Sequence, residues 1–288
     1  MTITISSQLK AAPSILWFED PAAADARRAG GKAAALARLA DRLPVPAGFV
    51  VVGAVDPAMV ELAYAELADR AGAGDDEPLV AVRSSAADED GVETSFAGQH
   101  ETILGVSGMA ELLAAIAASR DSAHTARALS YRRANGLAAP RAPLPVLVQL
   151  LVPADAAAVV FSVNPVAPAC GEVLVNAAYG LGESIVGGTV TPDEWALHRR
   201  TLAVTRERIA DKRRMTVRAP GGSREIDVPP FLRRRPSLTH EQAREAAALA
   251  LRLERELGLP VDLELAWSGS EMHLLQCRPI TTLAQEAA

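Results

Sequence analysis

Two alternating runs late in the sequence, Asp262-Leu263-Glu264-Leu265-Ala266-Trp267 and Met272-His273-Leu274-Leu275-Gln276-Cys277-Arg278, constrain the fold most. Successive strand residues point to opposite faces, so Asp262, Glu264 and Ala266 share one face. Leu274, Gln276 and Arg278 share one face of the second run. A three-residue loop, Gly269-Ser270-Glu271, makes the pair a hairpin with Glu264 opposite Gln276 and Asp262 opposite Arg278. A two-residue loop slips the register by one, sets Glu264 opposite Leu275 and disperses the group. Two oxygen donors beside a fixed cation suit Mg²⁺, which shares its coordination with phosphates. A surface ion-pair ladder on an exposed sheet face explains the same pattern.

Such a hairpin needs a core to lie on, and 49% hydrophobic residues in 288 supply one. A formal charge of −6 excludes a whole-protein basic footprint for nucleic acid, while a local basic pocket for a small phosphorylated ligand stays open. The basic stretches Arg199 to Arg214 and Arg233 to Arg235 read as solvated faces and a loop. Cys170 and Cys277 are too few for a disulfide framework and lack zinc-ligand spacing. Residues 1 to 18 show no signal-peptide pattern. The longest apolar stretch, Val45 to Val55, is interrupted by Pro46, Gly48 and Gly53 and is too short to span a bilayer. A soluble cytoplasmic protein with no membrane association is expected.

Helical and strand periods alternate without a fixed repeat, which predicts an α+β architecture. Helices are expected over 31–43, 59–70, 110–135 and 239–257, the last capped by Thr239. Strands are expected over 48–52, 80–83, 146–152, 157–163, 173–177, 261–267 and 272–278. Pro140, Pro143 and Pro145 form a stiff connector, predicting a boundary between a subdomain at 1–140 and another at 141–288.

Four further segments carry candidate chemistry. Gly30-Gly31-Lys32 opens a helix, where exposed N–H groups attract anions and Lys32 adds a mobile charge. It lacks the spacing of a Walker A loop, and taken alone it is explained more simply by glycine punctuation beside an exposed lysine. Arg83 ends the strand Val80-Ala81-Val82-Arg83 and precedes Ser84 and Ser85. It can present a forked cation to phosphate, or pair with Asp88, Glu89 or Asp90. Ser95 to Thr102, with Gly98 at its centre, suits a flap over a phosphate chain or a plain surface turn. Asn176 to Asp193 is a glycine-rich loop around Glu183, and long loops in compact domains are usually functional.

In order along the chain, Gly30-Gly31-Lys32, Leu43-Pro44-Val45-Pro46-Ala47-Gly48-Phe49, Val82-Arg83-Ser84-Ser85-Ala86, Ser95-Phe96-Ala97-Gly98, Tyr131-Arg132-Arg133 and Val148-Gln149 resemble one family. Phe161-Ser162-Val163-Asn164-Pro165, Gly180-Leu181-Gly182-Glu183, Val190-Thr191-Pro192, Asp262-Leu263-Glu264 and Leu275-Gln276-Cys277-Arg278-Pro279 extend the match over nearly the whole sequence. The family is that of the N-terminal nucleotide-binding domain of phosphoenolpyruvate synthase, pyruvate phosphate dikinase and rifampin phosphotransferase, which has an ATP-grasp fold.

The resemblance implies ATP and Mg²⁺ as cofactors. It implies that Lys32 and Arg83 bind ATP phosphates, that Arg278 holds the transferred phosphate, and that Glu264 and Gln276 hold the metal. The backbone of Gln149, Leu150, Leu151 and Val152 would read the adenine edge, with Val148 and Leu150 shaping an apolar slot. Ser95 and Gly98 would belong to the lid at 95–102, and Glu183 would sit near the ribose or support the lysine.

The implied reaction is AMP-forming transfer of a phosphoryl or pyrophosphoryl group to a histidine on a swivelling carrier. A substrate-binding domain or protein and a small-molecule final acceptor lie further on. Two departures stand out. The link from the strand at 48 to that at 80 is short for the family, and no carrier or substrate module follows Arg278-Pro279-Ile280. His100, His124, His198, His240 and His273 all lie outside a Thr-x-His carrier context. The acceptor is therefore expected on another polypeptide. The alternatives are a free-standing kinase acting on an antibiotic or biosynthetic intermediate, and a non-catalytic ATP-responsive regulatory module.

Overall fold

The computed structural model describes residues 14–74, 76–86, 102–125, 130, 133, 142–219 and 222–280. Strands β1 (Ile15–Trp17), β2 (Gly48–Val51), β3 (Val80–Ser84), β4 (Thr102–Val106) and β5 (Val146–Leu150) form an antiparallel sheet in the order β1-β2-β5-β3-β4. A continuous apolar run suits a strand covered on both faces, which is why Val146-Leu147-Val148-Gln149 lies centrally. Val80, Val82, Val146 and Val148 face a core made with helices α3 (Pro57–Ala71) and α4 (Met109–Asp121). Alternation then turns Ala81, Arg83 and Gln149 to the opposite face.

Strands β6 (Ala156–Phe161), β7 (Glu172–Tyr179), β8 (Asp193–His198) and β9 (Val204–Arg208) begin the second sheet. After a separate hairpin of β10 (Arg214–Ala219) and β11 (Gly222–Asp227), strands β12 (Val261–Ser268) and β13 (Glu271–Pro279) complete it. Its order is β13-β12-β6-β7-β8-β9, antiparallel throughout. Of the remaining helices, α1 (Ala26–Ala29), α2 (Gly31–Ala37), α5 (Glu183–Val186) and α6 (His240–Leu257), the last covers this sheet. Thr239 and Gln242 close a capping box at its start, and Gly258 ends it in a left-handed conformation. Ala243, Ala246, Ala247 and Ala250 are buried, so small side chains let α6 lie close against the strands.

The two sheets share one core. Ala33 and Leu36 of α2 pack with Val50 and Leu147 of the first sheet and with Leu263 and Leu274 of the second. The boundary expected at 140/141 therefore does not follow the sheets. The strand at 146–150, assigned to the second half, lies between β2 and β3, and α2, assigned to the first, packs on β13. Prolines signal a stiff connector but do not say on which side the sheet changes. Of the helical stretch expected over 110–135, α4 forms the first part to Asp121, and a 3-10 turn follows at Ser122–His124. Of residues 126–135, 130 and 133 are again helical, the others lying outside the described residues. At the 3-10 turn the Ser122 hydroxyl donates to the Ser119 carbonyl, a local bond that competes with helix propagation. Among the described residues no helix is long and apolar enough to cross a membrane.

The β10–β11 hairpin is fastened at both ends. At one, the Leu181 N–H donates to the Thr216 carbonyl at 2.8 Å, and Gly180 (φ 78°) comes so close that a Cβ would sit 2.2 Å from that oxygen. At the other, Lys212 Nζ and Asp193 Oδ1 form a fully buried ion pair at 2.6 Å. Lys212 also donates to the carbonyls of Ala210 and Arg235, while Asp193 accepts from the N–H groups of Ala210 and Ser237 and from the Ser237 hydroxyl. Every strong partner is satisfied, so removing one strands the other. Asp193→Ala is expected to cost about 3–5 kcal/mol in chemical denaturation. Arg214→Ala, from an exposed pair, is expected to cost under about 1 kcal/mol. Equal effects from the two would contradict this account of the hairpin's anchor.

Candidate active site

The closing hairpin reaches the expected pairing by a different route. Its turn is the two residues Gly269-Ser270, with Ser268 opposite Glu271, and not a three-residue loop. Continued evenly, that turn would bring Glu264 opposite Leu275. Instead the register shifts between Glu264 and Leu265, leaving Leu275 as an extra residue on β13. Beyond this bulge Glu264 lies opposite Gln276, Leu263 opposite Cys277 and Asp262 opposite Arg278. Leu274 does not share a face with Gln276 as alternation alone predicts. It packs in the core with Leu263, Leu265 and Cys277, because the bulge interrupts the two-residue period. β13 is an edge strand, where bulges are most readily accommodated.

Arg83 projects from the central region of the first sheet onto this bulge. Its Nη1 donates to the Leu275 carbonyl at 3.1 Å, and its Nη2 lies 3.9 Å from Glu264 Oε2. The residue is only 8% exposed, and its buried Nε has no hydrogen-bond partner among the described residues. It is held mainly by a neutral oxygen, the nearby carboxylate being too far for a hydrogen bond.

The space beneath is a cleft of about 250 Å³. Arg83, Gln149, Leu150, Leu151 and Val152 line one side. Glu183, Glu264 and Gln276 line the other. Along the first wall the Leu150 and Leu151 N–H groups are already bonded, to the carbonyls of Ala47 and Leu79, each at 2.9 Å. The Val152 N–H meets no acceptor among the described residues. The Gln149 side chain is committed to the Pro46 carbonyl at 3.1 Å. Val148, expected in the slot, faces away into the core with α3 and α4. It occupies the opposite strand parity from Gln149. Glu183 accepts from the Ser223 hydroxyl of β11 at 2.7 Å, which ties this wall to the hairpin.

Lys32 and Arg278 are not among the residues lining the cleft. Arg278 lies one residue pair beyond Glu264 and Gln276, and its Nε and Nη2 contact Asp262 Oδ2 at 2.8 and 2.7 Å. Burial pushes the Asp262 carboxyl above its ordinary value. The charge and hydrogen bonds of Arg278 oppose that shift, and nearby Glu264 adds to it. Lys32 is the second residue of α2. Ser95 and Gly98, with the rest of the expected lid up to Glu101, lie outside the described residues.

What holds Lys32 in place was hidden in the sequence. Ser85, two residues beyond Arg83, is wholly buried and accepts from the Ala33 N–H at 3.1 Å, while the Gly31 N–H donates to the Ala86 carbonyl. The chain leaving Arg83 thus caps the helix carrying Lys32. Gly30 makes this possible: at φ 82° and ψ 166° a Cβ would fall 1.5 Å from the Ser85 carbonyl oxygen. Gly30→Ala is expected to cost at least the about 1–3 kcal/mol of an all-but-glycine-only conformation, read by urea denaturation. Wild-type stability would contradict the packing described.

Glu264 and Gln276 offer a carboxylate and an amide oxygen from facing positions, hard donors of the kind Mg²⁺ takes. Among the described residues no cluster of three or more acidic, His or Cys side chains could cage a metal. The donor set therefore fits an ion whose remaining ligands come from phosphates and water. A cation, an acid–amide pair and a backbone donor with no acceptor among the described residues are thus gathered around one cleft.

A family model described as the pyruvate phosphate dikinase AMP/ATP-binding domain matches residues 57–288. The chain belongs to this family, and its fold is α+β, built on two antiparallel sheets. A probable phosphoenolpyruvate synthase of Methanocaldococcus jannaschii is 38% identical over 211 residues, covering 73% of this chain and 18% of the relative. The phosphoenolpyruvate synthase of Pyrococcus furiosus is 38% identical over 237 residues, covering 79% and 29%. The rifampicin phosphotransferase of Streptomyces sviceus is 38% identical over 203 residues, covering 70% and 23%. The chain thus spans less than a third of each of these relatives.

Proposed function

We propose that the chain is the ATP-cleaving part of a dikinase-type phosphotransferase, passing a phosphoryl or pyrophosphoryl group from ATP, with AMP as product, to a histidine on a carrier domain or protein. The carrying observation is that Arg83, Glu264 and Gln276, far apart in sequence, meet at one cleft whose first wall ends in the unpaired Val152 N–H. That N–H is the donor for the adenine edge, and Leu150 and Val152 give the apolar surface against the base. Leu150 and Leu151 act through shape alone, because their own N–H groups serve the sheet.

Catalysis by such a site is mainly electrostatic. Arg83, desolvated and held by a neutral carbonyl, meets phosphate oxygens without first breaking a tight ion pair. Arg278, aligned by Asp262, holds the phosphate in transfer one residue pair beyond Glu264 and Gln276, and Lys32 reaches the phosphates from α2. Glu264 and Gln276 would hold Mg²⁺, which would supply positive charge to offset that of the phosphates. The relatives named phosphoenolpyruvate synthase and rifampicin phosphotransferase support a phosphotransferase. None of the five histidines has a carrier context, which supports an acceptor outside these 288 residues.

Incubation with ATP labelled in its terminal phosphates, together with a Thr-x-His carrier domain, is expected to yield AMP and a labelled carrier histidine. Stable label on this chain, or turnover with a small molecule and no carrier, would overturn the paired-acceptor reading. Glu264→Ala and Arg278→Ala are each expected to fold and to lower AMP formation by about a hundredfold or more, the scale of lost transition-state charge contacts. Unchanged AMP formation in both variants would remove these residues from the mechanism.

A further inference from the structure

We propose that the backbone of Leu275 is a positioning element for Arg83: the extra residue of the β13 bulge serves to set one carbonyl against the guanidinium. This rests on reading Arg83 as a phosphate ligand. The argument comes from what the sheet itself requires. Excising Leu275 would join Leu274 to Gln276 behind the same two-residue turn. Leu265 would still face Leu274, Glu264 would face Gln276, and Asp262 would face Arg278, now in unbroken alternation. Leu274 and Cys277 would keep their places in the core, and Gln276 and Arg278 theirs toward the cleft.

Neither the ladder, the core nor the acid–amide face therefore needs Leu275. Apart from lining the cleft, which Leu275→Ala tests separately, what it adds is the carbonyl 3.1 Å from Arg83 Nη1. Among the described residues the other contact of that guanidinium is with Glu264, and at 3.9 Å it is too long for a hydrogen bond. A neutral acceptor fixes the direction of the fork while leaving the Glu264 carboxylate for a metal and the Arg83 charge for an anion. Without it, Arg83 is free to close onto Glu264, and each would cancel the group the other is meant to bind.

The test compares four proteins by thermal melting and by calorimetric titration with Mg²⁺ and ATP: a Leu275 deletion, Leu275→Ala, Arg83→Ala, and the deletion combined with Arg83→Ala. The deletion is expected to melt near the wild type and to bind ATP about tenfold more weakly, the scale of one hydrogen bond to a charged group. Leu275→Ala, which keeps the carbonyl, is expected to lose clearly less. In the Arg83→Ala background the deletion is expected to add no further loss, because both changes act through one side chain. A deletion variant that fails to fold would overturn the proposal, since the ladder would then need Leu275. So would a full additive loss in the double variant, or a loss in Leu275→Ala equal to that of the deletion. Wild-type affinity in the deletion beside weak binding in Arg83→Ala would overturn the proposal alone. Wild-type affinity in Arg83→Ala would overturn the phosphate reading beneath it.

Discussion

The contact between Arg83 and the Leu275 carbonyl joins the two sheets at the place where their chemistry meets. One partner lies next to the central strand of the first sheet and the other on the edge of the second. An arginine in a hydrophobic sheet is costly to bury unless its charge is met. The surroundings give it a carbonyl, a carboxylate at a distance and an unfilled Nε. That partial satisfaction differs from the Lys212–Asp193 pair, in which both ends are fully bonded and the role is structural. Incomplete satisfaction inside a cleft is what the proposed phosphate contact would relieve.

The same stretch of chain organises the rest of the site. Immediately after Arg83, Ser85 and Ala86 take the first N–H groups of α2 and so fix the helix that carries Lys32. That helix packs on β13, the strand bearing Gln276 and Arg278. Cation, helix start and acid–amide face are thereby set by direct contacts among three elements. The shared core that contains Ala33, Val50, Leu147 and Leu263 makes these positions rigid relative to one another.

The sequence made the closing hairpin legible because alternation is strict on β12, and Leu263, Leu265 and Trp267 all enter the core as expected. It misled on β13, where a two-residue period cannot reveal an inserted residue. The right cross-strand pairs were inferred from the wrong loop. Central strands such as Val146–Leu150 were visible as apolar runs, but which sheet receives them depends on long-range pairing that composition does not encode. Val148 was misplaced by one parity step for the same reason. Gly30 and Ser85 each carried a signal, a glycine pair and a serine pair, yet the bond that fastens the helix start, from the Ala33 N–H to the Ser85 hydroxyl, spans 52 positions and has no local signature. The Asp262–Arg278 pair was readable, since it needed only the correct register.

The most direct measurement is a crystal structure of the chain with Mg²⁺ and a non-hydrolysable ATP analogue. The account requires the metal on Glu264 and Gln276, the base at the Val152 N–H, and Arg83 on the phosphates with its Nη1 still against the Leu275 carbonyl. A nucleotide lodged outside this cleft, or a metal held without Glu264 and Gln276, would contradict it.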